Sequence, residues 1–132
     1  MADITLSDEE QLQLQNLGVE AVILFGSQAQ DLTHPGSDYD IAVIQTPKSD
    51  TDKIYDNLYS LLSEKINKLV NIDIVFMSKS PMELQSHVAK FGQVIFQITP
   101  NVFADFKQQT MLSYSDFAPL RRVFQHATLS RI

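Results

Sequence analysis

The sequence predicts an α/β domain of the α+β kind, a small mixed β-sheet flanked by helices. Two observations carry this expectation. Short apolar runs rich in β-branched residues occur at VEAVILF (19–25), DIAVI (40–44) and VNIDIVF (70–76), with the length and composition of strands. Between and around them lie stretches whose apolar residues recur at helical spacing. The order reads α-β-loop-β-α-β-α-β-α, and 132 residues are most economically a single domain, 1–132, with one core.

The elements follow in order. Thr5-Leu6-Ser7-Asp8-Glu9-Glu10 is a helix start, with Ser7 as cap and Glu10 completing a capping box, and the helix runs to about Asn16. Residues 19–25 form the first strand and 40–44 the second, ended by Gln45-Thr46-Pro47. From Thr51 to Leu69 the residues Ile54, Leu58, Leu61, Leu62, Ile66 and Leu69 mark an amphipathic helix. Residues 70–76 form the third strand. A helix from Pro81 to about Lys90 has Ser80 as its expected cap and Pro81 at its first position. Gly92–Ile98 reads as an edge strand stopped by Pro100, and the tail from Val102 as one or two helices, interrupted near Ser113–Ser115.

Composition narrows the function classes. Hydrophobic residues make up 44% of the chain, which suits a globular protein. No apolar run approaches the roughly 20 residues that span a bilayer, and MADITLSDEEQ does not read as a leader, so the cytoplasm is the expected location. The net charge of −6 disfavours general nucleic-acid binding; a basic protein partner or a metal-bridged anionic substrate suits it better. Without cysteine there are neither disulfides nor thiolate metal sites.

One stretch, LFGSQAQDLTHPGSDYD (24–40), carries chemistry. Asp38 and Asp40 stand two apart at the mouth of a burying strand, so both fall on one side of the chain. Asp73 interrupts the third strand: Ile72, Ile74 and Phe76 share one face, and Asp73 shares the other with Val75. If the second and third strands are neighbours, three carboxylates converge. Such a group repels itself unless a cation lies between, and Mg²⁺, a hard ion with oxygen ligands, is the natural partner. Two such ions can clamp the attacking and leaving oxygens of an in-line nucleotidyl displacement. Gly26-Ser27, at a strand end, offers backbone amides and a hydroxyl to a phosphate. Taken singly, each feature also has a bland reading, as turn, cap or strand edge; the conjunction is specific.

Strand–Gly-Ser, ten residues, Asp-x-Asp, and then Asp73 within NIDIVF resembles the DNA-polymerase-β-type nucleotidyltransferase superfamily over about residues 19–98. The short length resembles its minimal nucleotidyltransferase (MNT) branch, many of whose members are antitoxins encoded beside HEPN-domain toxins. The helical tail, about 101–130 with YSDFAPL, is similar in character. The resemblance implies a polymerase-β-like nucleotidyltransferase core. It implies that Asp38 and Asp40 bind two Mg²⁺ ions, and that Asp73 binds one of them and assists deprotonation of the acceptor. It also implies that Gly26 and Ser27 grip the triphosphate of ATP. One departure stands out: family members often read G-S-R-A-R where this chain has Gly26-Ser27-Gln28-Ala29-Gln30, and glutamine does not replace arginine's charge. Either triphosphate affinity is weaker, or Lys48, Lys53 or Lys79 compensates.

Nearly all of the chain is core, so the acceptor must be recognised by the tail or must itself be the partner. The leading expectation is therefore transfer of AMP from ATP to a hydroxyl, a tyrosine by preference, of a cognate HEPN ribonuclease toxin. Negative charge attached near an RNA site would repel its phosphates. Two alternatives are a non-catalytic antitoxin that neutralises by binding and an aminoglycoside-type small-molecule nucleotidyltransferase. Tyr39 alternates with the aspartates and is expected to pack on the opposite face. His34, His87 and His126 are expected to be ordinary loop, surface or core residues, Arg121-Arg122 an exposed basic turn, and Phe91, Phe96, Phe103 and Phe106 packing residues.

Overall fold

The computed structural model describes residues 4–26, 38–66 and 71–113. The elements are α1 (Asp8–Asn16), β1 (Val19–Phe25), β2 (Tyr39–Gln45), α2 (Thr51–Lys65), β3 (Ile72–Phe76), α3 (Met82–Phe91), β4 (Gln93–Gln97) and α4 (102–113), with a 3₁₀ turn at Met77–Lys79. The strands form one sheet in the order β3-β2-β1-β4. β1 pairs antiparallel with β2 and β4, and β2 pairs parallel with β3. This is the small mixed sheet flanked by helices that the alternation of elements predicts, with β4 at an edge.

Both sheet faces are covered, which explains why β1 reads as an almost unbroken apolar run. Its residues are buried throughout except for the partly exposed Glu20. On one face Val22, Leu24, Ile41, Val43, Ile72 and Ile74 pack against Leu14 of α1 and Ile54, Leu58 and Leu62 of α2. On the other, Ala21, Ile23, Phe25 and Ala42 pack against Leu84 and Val88 of α3 and Val102, Phe103 and Phe106 of α4. Fully burying each of the large aliphatic side chains contributes about 1.5–3 kcal/mol. α3 must cross this second face because it connects β3, one edge of the sheet, to β4, the other.

Helix ends follow local chemistry. The Ser7 hydroxyl accepts from the Glu10 N–H, and the Glu10 carboxylate accepts from the Ser7 N–H at 2.8 Å, so the capping box is complete. The same carboxylate meets Lys65 Nζ at 2.9 Å, tying α1 to the end of α2. Asp50 caps α2 by accepting from the Asp52 and Lys53 amides.

Several boundaries differ from expectation; β2, for one, runs over Tyr39–Gln45, a residue longer at each end. α2 ends at Lys65; Leu69 and Val70 lie outside the described residues, and β3 begins at Ile72. Ser80 does not cap α3: Pro81 holds that position, and no side chain caps the helix. The reason is the 3₁₀ turn at Met77–Lys79, which draws the Ser80 hydroxyl back to donate to the Phe76 carbonyl at 2.8 Å. No helix among the described residues is long and apolar enough to cross a membrane.

Candidate active site

Strand register builds the site. Phe25, the last residue of β1, stands opposite Asp40 on β2, and Asp40 stands beside Asp73 on β3. Directly paired residues project to the same face, so Phe25, Asp40 and Asp73 form a row across three strands. The face is the one that α3 and α4 cover, yet the row lies at its rim: Asp40 is partly buried, and Asp73 is exposed. Asp38, also exposed, sits two residues before Asp40 and adds its charge to the group. Tyr39 alternates with them and packs into the opposite core, as its position between the aspartates predicts. Its amide donates to the Asn71 carbonyl at 2.9 Å, which extends the pairing of β2 with β3 to the mouth of the site.

The electrostatics follow from this placement. Asp40 is held above the usual carboxylate range, first by burial, then by the negative charge of Asp73 and then by that of Asp38. A carboxylate so placed gains from a cation, and the all-oxygen donor set of Asp38, Asp40 and Asp73 fits a hard divalent ion such as Mg²⁺. Among the described residues no set of three His, Asp or Glu side chains is arranged to hold an ion unaided. An open donor set of this kind suits an ion that takes further oxygens from substrate phosphates.

Gly26 closes the row from above. It adopts φ +76°, a left-handed conformation that favours glycine. A Cβ there would collide with Asp40 Oδ2 and lie 3.2 Å from its Cγ. The backbone of the Gly26 turn therefore rests directly on the carboxylate. Ser27, Gln28, Gln30 and His34 lie outside the described residues, as do Arg121, Arg122 and His126.

One residue at this site was not legible in the sequence. His87 of α3 meets the Phe25 ring edge-on, with centroids 6.2 Å apart and planes at 75°. Its electrostatic influence is the one that opposes the upward shift of Asp40. A histidine at an unremarkable helical position carries no signal by itself. The signal was topological: a helix that joins the two sheet edges must pass the row.

The three lysines considered as substitutes for the missing arginines are elsewhere. Lys79 Nζ donates to Thr51 Oγ1 at 3.3 Å, at the start of α2, and Lys48 and Lys53 flank the same segment. This region follows the C-terminal end of β2, and Asp40 is near its N-terminal end. The five residue steps from Asp40 to Gln45 span roughly 17 Å at the usual strand rise. A groove of about 400 Å³ lined by Glu20, Ile44, Val102, Asp105 and Phe106 lies toward that far end too. Its two carboxylates make it a poor place for a triphosphate.

The sequence profile of the family described as "Polymerase beta, Nucleotidyltransferase" matches residues 10–101, a span that includes Gly26, Asp38, Asp40 and Asp73. No curated protein matches the chain. Among solved structures, a chain of a toxin–antitoxin complex with AMP-PNP is similar with a TM-score of 0.72 and 20% identity, covering 94% of this chain and 99% of that one. A chain of the MntA–HepT toxin–antitoxin complex gives 0.64 and 18%, covering 93% and 99%. The complex of tri-AMPylated Shewanella oneidensis HEPN toxin with MNT antitoxin gives 0.64 and 18%, covering 94% and 99%. At such identities the likeness is one of fold.

Proposed function

Because the chain belongs to the polymerase-β nucleotidyltransferase family, we propose that it is an antitoxin-type adenylyltransferase, a single minimal domain over 1–132. It would transfer AMP from ATP to a hydroxyl, by preference a tyrosine, of a cognate HEPN-domain toxin. The observation that carries the reading is the row of Asp40 and Asp73 under the Gly26 turn, with Asp40 raised by burial and by its acidic neighbours. The fold shared with chains from toxin–antitoxin complexes, one crystallised with AMP-PNP and one with an AMPylated toxin, supports the choice of nucleotide and acceptor.

In this reading the acceptor oxygen bonds to the α-phosphorus of ATP. The bond from that phosphorus to the bridging β-oxygen breaks, and pyrophosphate leaves. Asp38, Asp40 and Asp73 would hold two Mg²⁺ ions, which when bound screen the phosphate charge and favour ionisation of the acceptor hydroxyl. Asp73, the exposed member of the row, would receive the acceptor's proton. Gly26 and Ser27 would grip the triphosphate, Gly26 through a left-handed turn that favours glycine.

The test is incubation with ATP, Mg²⁺ and the protein encoded by the adjacent gene, read by intact mass. An AMP-sized adduct on the partner, absent with Asp38→Ala/Asp40→Ala, is the expected result. Absence of any adduct, with neutralisation of the partner surviving the double substitution, overturns the reading in favour of an antitoxin that acts by binding alone.

A further inference from the structure

We propose that His87 contacts the triphosphate of the bound nucleotide, supplying from α3 a donor beyond those of Gly26 and Ser27; this rests on the nucleotidyltransferase reading above. The first support is position. α3 crosses the sheet face that carries the carboxylates, with Leu84 and Val88 turned into the core and His87 against Phe25. Phe25 pairs with Asp40 and immediately precedes Gly26, so the imidazole lies beside the point where the Gly26 turn meets the Asp40 carboxylate. The ring is only partly buried and stacks at a tilt against Phe91, 5.1 Å between centroids, which props it from the outer side.

The second support is chemical. Triphosphate brought to a row of carboxylates needs donors besides metal ions, and Gln28 and Gln30 carry no charge. Lys48, Lys53 and Lys79 stand toward the other end of the sheet. A neutral imidazole already donates one N–H, and a protonated one donates two, so the contact does not require a particular charge state.

The competing role is packing, in which the ring merely fills the space between Phe25 and Phe91. His87→Phe separates the two, because it keeps a ring and removes both nitrogens. Binding of AMP-PNP with Mg²⁺ to the full chain is measured by calorimetry, with adenosine as the phosphate-free comparator. The expected result is a melting temperature close to wild type, AMP-PNP binding weakened about tenfold, and adenosine binding unchanged; a hydrogen bond to a charged group is of that size. Should His87→Phe fail to fold, His87→Gln and His87→Leu take its place: affinity kept by Gln and lost by Leu supports the contact, and equal affinities overturn it.

Unchanged AMP-PNP affinity in the folded Phe variant overturns the proposal and leaves the nucleotidyltransferase reading standing. Equal losses for AMP-PNP and adenosine also overturn it, in favour of packing. A wild-type chain that does not bind AMP-PNP at all overturns both.

Discussion

Gly26→Ala separates what the turn does for stability from what it does for the site. The backbone at Gly26 has φ +76°, and an L-residue held there costs about 1–2 kcal/mol. The new Cβ would fall on Asp40 Oδ2, with Asp40 Cγ at 3.2 Å and Asp40 Cβ at 3.4 Å. The last is an ordinary contact, and the collision is with the end of a side chain. Asp40 can therefore rotate its carboxylate away while its backbone stays paired with Phe25. The stability loss should stay near the backbone term, a fall in melting temperature of about 3–10 °C for a chain of this size. Activity should fall much further, because a reacting or ligating group misplaced by about 1 Å costs on the order of 100-fold. Thermal unfolding and the initial rate of adduct formation, measured well below the melting temperature, test the two arms. A folded Gly26→Ala protein within about threefold of the wild-type rate would refute the idea that this turn rests on a working carboxylate.

Asp40 itself gives a pH-dependent prediction. Its folded pKa is raised above the unfolded value of about 3.9. The unfolded chain then releases this proton at lower pH, so the contribution to stability is fully present below about pH 4 and is lost as pH rises through the folded value. In chelator-treated protein at neutral pH, Asp40→Asn should therefore raise the melting temperature, with the difference vanishing in acid. Mg²⁺ should stabilise the wild type more than the variant, and an Asp40→Asn protein less stable than wild type at pH 7 without divalent ions would contradict this. Gly92→Ala is a purely structural counterpart: a Cβ there would lie 2.5 Å from Ile23 Cγ2 and 2.6 Å from the Val88 carbonyl oxygen. Because that oxygen is backbone and cannot swing aside, a loss of about 1–3 kcal/mol is expected in denaturant unfolding, with nucleotide affinity of the folded fraction retained.

The parts of the fold that were legible in the sequence are those written in local pattern. The capping box at Ser7 and Glu10, the stripe of Ile54, Leu58 and Leu62, and the apolar run of β1 each state their structure within a few residues. The Ser80 cap failed because the side chain had two possible partners, and the 3₁₀ turn before it made the Phe76 carbonyl the nearer one. The alternation at Asp38-Tyr39-Asp40 was likewise enough to send Tyr39 to the opposite core.

By itself, then, the sequence determined which residues could share a side: Asp38 with Asp40 along one strand, and Asp73 away from Ile72 and Ile74 along another. Periodicity is a property of a single chain segment, so it is visible without neighbours. Only the tertiary structure decided that β2 and β3 run side by side with Asp40 level with Asp73, since register is set by packing across strands far apart in the chain. The same holds for the two ends of the sheet. Three lysines that looked available in the sequence fell toward the end away from the carboxylates, and a histidine that looked ordinary fell beside them, because the path of α3 is fixed by the two edges that it joins.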